Sequence, residues 1–122
     1  MGKSVLGGRA HVIIRFFEKE IHRMNIVKKP NGNQLTIALE GRLDTTTSPQ
    51  LENELRTALN GVSEFILDLD SLDYISSAGL RVLLSAQKVM NKQGKMVIRN
   101  VKPEIMEIFD VTGFVDILNI EA

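Results

Sequence analysis

Residues 65–69 read Phe65-Ile66-Leu67-Asp68-Leu69, and residues 74–84 read Tyr74-Ile75-Ser76-Ser77-Ala78-Gly79-Leu80-Arg81-Val82-Leu83-Leu84. The first stretch is a short, nearly continuous apolar run, the pattern of a central strand covered on at least one face. The second opens a helix expected over Ala78 to Gln93. Leu80, Leu83, Leu84, Gln87 and Met90 recur along one side of it, and Gly94 stands where a helix closes. A strand that leads through a polar link, Asp70 to Tyr74, into a helix is the repeating unit of an α/β fold.

Working outward toward the N-terminus, Ser48-Pro49 supplies an N-cap followed by proline, and Leu51, Leu55, Ala58 and Leu59 recur at helical spacing until Asn60-Gly61. This predicts a helix over about residues 49–60. Before it, residues 25–29 and 34–40 read as a β-hairpin. Leu35, Ile37 and Leu39 alternate with Thr36, Ala38 and Glu40, and Asn31-Gly32-Asn33 supplies residues that tolerate positive φ. Toward the C-terminus, Met96-Val97-Ile98 is the next strand, and Pro103 opens a third helix with Ile105, Met106 and Phe109 on its apolar stripe. Gly113 closes that helix, and Val115 to Ile120 forms a last short apolar strand.

The element order is therefore β-β-α-β-α-β-α-β, which predicts a single α/β domain with a mixed, largely parallel sheet packed with helices. Strand-to-helix loops leave a parallel sheet at its carboxyl edge, where sites in open α/β folds lie. Loops 41–48, 70–77 and 99–102 are expected to share that edge.

Composition narrows the function. The chain has 122 residues, 43% of them hydrophobic and 25% charged, which fits one packed domain. It has no cysteine, so thiol nucleophiles, disulfides and thiolate metal sites are excluded. The formal charge is zero, but residues 1–23 carry five basic and two acidic side chains, leaving residues 24–122 at −3. A mildly acidic body with no Trp and one Tyr lacks the basic stripe and stacking platform of a nucleic-acid binder. No apolar run approaches the ~20 residues of a membrane span. A soluble, cytoplasmic protein with no membrane insertion is expected.

The serine pair at the start of the second helix is the leading candidate site. Ser76 or Ser77 can cap the helix, a role worth about 0.5–2 kcal/mol relative to alanine. The same free N–H groups and helix dipole also tolerate an added phosphate. A serine at this position is a plausible phosphoacceptor, with Ala78 and Gly79 too small to cover its hydroxyl. Asp44 is expected on the same sheet edge, either to brace the loop or to recognise a partner. Among the loop threonines, Thr45 is the one expected to add surface complementarity. Arg81, one turn into the helix, reads as a solvated charge or as a phosphate neighbour. Asp68, Asp70 and Asp73 do not converge, with Asp73 expected in the loop, and no metal is expected. No Gly-x-Ser-x-Gly elbow, histidine base or P-loop is present, so the chain reads as a substrate or binding partner and not as an enzyme.

From Met24 onward the chain resembles the STAS domain family, and within it the bacterial anti-sigma factor antagonists. The matching pieces are Gly41-Arg42-Leu43-Asp44, Leu67-Asp68-Leu69, Ile75-Ser76-Ser77-Ala78-Gly79-Leu80 and Val111-Thr112-Gly113-Phe114. The resemblance implies a STAS-type domain over residues 24–122 that needs no cofactor. It implies that a partner, both anti-sigma factor and serine kinase, phosphorylates the domain. The unphosphorylated form then binds that partner and frees the sigma factor, with a phosphatase as a further partner. By position relative to the glycine, the resemblance points to Ser77 as acceptor. The chain departs from the family pattern in having Ser76 where many members have Asp and Ala78 where a second serine is common, which leaves Ser76 as second choice. Partner contacts are carried onto Asp44, Thr45, Ser76, Ala78, Gly79 and Arg81. The same family also supplies subunits of lipid-transport ATPases and pieces of stress-sensing scaffolds, which are the alternative roles. The sequence sets no oligomeric state.

Residues 1–23 have no counterpart in the resemblance. One reading is a start placed too far upstream, or a non-native leader, because Lys19-Glu20 is encodable as a ribosome-binding sequence shortly before Met24. The other is an amphipathic helix, with Ile13, Phe16, Phe17 and Ile21 toward one side and Arg15, Glu18 and Lys19 charged. Such a helix would cover the domain or pair with another chain.

Overall fold

The computed structural model describes residues 24–121, so the readings of residues 1–23 lie outside the described residues. Strands β1 (Met24–Asn31) and β2 (Gln34–Leu43) form the expected hairpin, paired Met24 to Gly41 through Asn31 to Gln34. Of the turn residues, Gly32 alone adopts positive φ, at 63°. Helix α1 (Ser48–Ala58), strand β3 (Glu64–Ile75), helix α2 (Ser77–Gln93), strand β4 (Lys95–Arg99) and helix α3 (Pro103–Thr112) follow. The sheet order is β1-β2-β3-β4, antiparallel at the first pair and parallel at the next two.

All three helices cover one face of this sheet. Leu51, Leu55, Leu83, Met90, Ile105 and Phe109 from the helices join a single buried cluster with the inward residues of the strands. Ile37, Leu39, Phe65, Leu67 and Leu69 carry that face across β2 and β3. Gln93 ties the far end of α2 to the loop after α1, its Nε2 donating to the carbonyls of Leu59 at 2.6 Å and Val62 at 2.7 Å.

Three sequence expectations are corrected. β3 does not stop at Leu69 but runs to Ile75, so Asp73 lies in the strand and not in a loop. The cause is two bulges: Leu69 and Asp70 together oppose Leu39, and Asp73 is inserted between the pairs Gly41–Leu72 and Arg42–Tyr74. They turn Leu69, Leu72 and Ile75 inward at a spacing of three, which breaks the period-2 signal of a strand. The cap of α1 is Thr47 and not Ser48; Ser48 is the first helical residue and no side chain caps the turn. The last strand is reduced to one parallel bridge, Ile98 to Ile120, after a 3₁₀ turn at Phe114–Asp116. In that bridge the Ile98 N–H donates to Asn119 O and the Glu121 N–H to Ile98 O.

Candidate functional site

The carboxyl ends of β2 and β3 lie side by side, because Leu43 pairs with Ile75 and the Ser76 N–H donates to Leu43 O at 2.9 Å. The loop after β2 and the start of α2 therefore meet at one edge. The loop after β4 joins them through Lys102, whose Nζ lies 2.7 Å from Asp73 Oδ1. Asn100 holds that loop in the left-handed region, at φ 58°, while its side-chain amide donates to Asp68 Oδ1 at 3.1 Å. The three segments expected to share an edge do so, although 70–75 is the end of β3 and 41–43 the end of β2.

The two serines differ in what their hydroxyls do. Ser76 is extended, with φ −100° and ψ 175°, and its Oγ caps α2 by accepting from the Gly79 N–H at 3.3 Å. Ser77 is the first residue of the helix, is exposed, and its hydroxyl makes no hydrogen bond among the described residues. The Ser76 hydroxyl is spent on the local fold, while the Ser77 hydroxyl is exposed and has no described partner.

Asp44 is committed to its own loop. Its Oδ1 accepts from the Thr46 N–H and hydroxyl at 3.0 and 2.7 Å, and from the Thr47 N–H and hydroxyl at 3.1 and 3.3 Å. Thr47, 3% exposed, also accepts from the Asp44 N–H and donates to the Arg42 carbonyl, both at 2.8 Å. Burial pushes the Asp44 carboxyl up, but the four hydrogen bonds from Thr46 and Thr47 outweigh it and hold its pKa below the ordinary value. Its other oxygen, Oδ2, faces Arg42 Nε at 3.6 Å.

Thr45, Ala78 and Arg81 come together. With Ser48, Glu52 and Ser85 they line a groove between the starts of α1 and α2, beside Ser77. Arg81 is exposed and pairs with no acidic side chain among the described residues. Gly79 stands apart from this surface. It is buried, and a Cβ there would meet Leu43 Cγ at 2.7 Å and Ile75 Cγ1 at 2.9 Å, so its absence is what brings α2 down onto the sheet edge.

The sequence reading missed Glu52 and Ser85 as groove residues. The signal was present: Ala78, Arg81, Val82 and Ser85 follow one helical face, and Glu52 lies one turn beyond Ser48. It also missed Arg42, whose guanidinium stacks 4.4 Å from the centre of the Tyr74 ring at the same edge. Among the described residues, no cluster of three or more His, Asp or Glu could hold a metal. No helix among them is long and apolar enough to cross a membrane.

This geometry has a known setting. Residues 25–122 match the family model of the STAS domain. The chain is 41% identical over 96 residues, 77% of this chain and 83% of the relative, to a Bordetella bronchiseptica protein assigned as the anti-sigma factor antagonist BtrV. It is 28% identical to the anti-sigma-B factor antagonist of Bacillus subtilis, over 81% of this chain and 92% of that one. Among solved structures, the Bacillus cell fate determinant SpoIIAA in its phosphorylated form superimposes with a TM-score of 0.64 at 19% identity, covering 80% of this chain and 92% of that one. The chain belongs to the STAS domain family, on the branch of the anti-sigma factor antagonists.

Proposed function

We propose that this chain is a phosphorylation-switched antagonist of an anti-sigma factor that is also a serine kinase, with Ser77 as the phosphoacceptor. The observation that carries the reading is the division of labour between the two serines. The Ser77 hydroxyl is exposed and unbonded, while the Ser76 hydroxyl is the helix cap. The kinase transfers the γ-phosphoryl group of ATP to Ser77 Oγ, ADP leaves, and the hydroxyl proton is released. A phosphatase restores the hydroxyl.

In the bare form, Thr45, Ala78 and Arg81 present a continuous docking surface around Ser77. Phosphorylation adds about −1.5 to −2 charges at its centre. At the first turn of α2 that charge is compatible with the helix dipole, so the domain stays folded while the interface is lost. A hundredfold fall in affinity corresponds to about 2.7 kcal/mol.

Phosphopeptide mass spectrometry after incubation with the cognate kinase and ATP tests the assignment. Phosphate is expected on Ser77 and absent from Ser77→Ala, which still binds the partner, whereas Ser77→Asp binds it weakly. Phosphate found on Ser76 or elsewhere, with Ser77 unmodified, rejects the assignment. Recovery of a transport ATPase in place of a kinase rejects the proposed partner.

A further inference from the structure

Ser77 and Arg81 stand four residues apart on α2. That spacing brings two side chains together on one helical face, with about 5–6 Å between their Cβ atoms. A long side chain on a helix also leans toward the helix N-terminus, so Arg81 reaches back over the turn that begins at Ser77. Nothing large stands between them: Ala78 is a small groove residue of the same turn, and Gly79 is buried against the sheet edge.

The cations of this edge differ in their commitments. Arg42 is stacked on Tyr74 at 4.4 Å and faces Asp44 Oδ2 at 3.6 Å, and Lys102 Nζ lies 2.7 Å from Asp73 Oδ1. Arg81 is exposed and has no hydrogen bond, ion pair or ring contact among the described residues. Glu52 lines the same groove from α1, yet it does not pair with Arg81. A phosphate on Ser77 Oγ would meet this uncommitted guanidinium in the favourable order, with the acid N-terminal to the base. Its oxygens match the planar guanidinium fork, and such charge-assisted bonds are stronger than neutral ones. The bare surface has the converse need, because an unpaired arginine in an interface is complemented by an acidic group of the partner.

We propose that Arg81 is the moving part of the switch. In the bare domain its guanidinium binds an acidic side chain of the docked partner, and a phosphate on Ser77 recaptures it as an ion pair within α2. Phosphorylation then withdraws a contact from the interface as well as adding charge and bulk to it. The inference rests on the reading of Ser77 as phosphoacceptor and says how that phosphate acts.

Phosphoserine encoded at position 77 of the full chain makes the ion pair measurable without the kinase, so a kinase that modifies another residue is a separate outcome, read by mass spectrometry. In a phosphorus NMR titration the second ionisation of the phosphate is expected to lie lower in the parent than in Arg81→Gln by about 0.2–0.4 of a pH unit, the shift that an exposed pair at this spacing produces. The helix dipole acts equally on both chains and cancels in the comparison. With the cognate kinase in the absence of ATP, the bare Arg81→Gln chain is expected to bind several-fold more weakly than the bare parent. Phosphoserine at 77 should then weaken binding by a smaller factor in Arg81→Gln than in the parent. Equal phosphate midpoints in the two chains overturn the proposal. A midpoint shift with unchanged affinity of the bare variant also overturns it, because Arg81 would then have no partner contact to withdraw. So does an equal effect of phosphoserine on the affinity of both chains.

Discussion

The Cβ that Gly79 lacks would lie 2.7 Å from Cγ of Leu43 and 3.0 Å from the Leu43 carbonyl oxygen. The latter is backbone and cannot rotate away, so the start of α2 sits closer to β2 than a residue with a Cβ would comfortably allow. This contact fixes where Ser77 stands relative to the Asp44 loop.

Gly79→Ala sets two effects against each other. Removing glycine from a helix gains about 1 kcal/mol of propensity, while overpacking at this distance costs about 1–3 kcal/mol. The backbone contact places the second effect toward the upper end of its range, and a net loss of up to about 2 kcal/mol is expected in urea denaturation. Phosphorylation of the folded variant should also slow, because the helix start has to lift from the edge. An unchanged or raised midpoint would show that the contact relaxes freely.

Ser76 and Ser77 should respond oppositely in stability and function. Ser76→Ala removes the cap on the Gly79 N–H and should cost about 0.5–2 kcal/mol. Ser77→Ala removes a hydroxyl without a described partner and should stay within about 0.5 kcal/mol of the parent. Thermal melts of the two variants, measured together, check the order. A larger loss at Ser77 would mean that its hydroxyl is the structural one.

The elements with strong periodicity were legible in the sequence: the hairpin, the three helices, and the common edge of the three loops. What escaped has physical causes at particular residues. The bulges of β3 space Leu69, Leu72 and Ile75 by three, which a strand template reads as the end of a strand. The stretch Val115 to Ile120 is apolar enough for a strand, yet it spends Phe114–Asp116 on a turn and pairs through Ile120 alone. At the site, the motif located Ser76 and Ser77, but which hydroxyl caps and which is free depends on where α2 begins, a difference of one residue. Thr47 looked like an ordinary loop threonine because its bonds to Arg42 and Asp44 exist only once the chain has turned.

Thr47→Val is nearly isosteric and isolates those bonds. It leaves the Arg42 carbonyl and the Asp44 N–H without their partner at a residue 3% exposed. An unsatisfied buried group costs about 1–3 kcal/mol. A loss in that range is expected for valine and a much smaller one for Thr47→Ser, which keeps the hydroxyl. Equal losses for both would assign the effect to the methyl group. Because the same loop carries Thr45, the valine variant should also bind the partner less tightly at temperatures where it is folded.

Asp44 should make the domain acid-sensitive in a defined direction. Its carboxyl is held below the ordinary aspartate value by the Thr46 and Thr47 hydrogen bonds, against the opposing effect of burial. A carboxyl whose folded pKa is depressed binds protons more weakly in the native state than in the unfolded chain. Its contribution is therefore complete above the unfolded value, ~3.9, and is lost as the pH falls through the lower native value. Urea midpoints of the parent and of Asp44→Asn should differ at neutral pH, with the parent more stable, and should converge as the pH drops below 4. Carboxyl-detected NMR should place the Asp44 midpoint below that of an ordinary aspartate. A midpoint above it would mean that burial, and not the threonine donors, governs this loop.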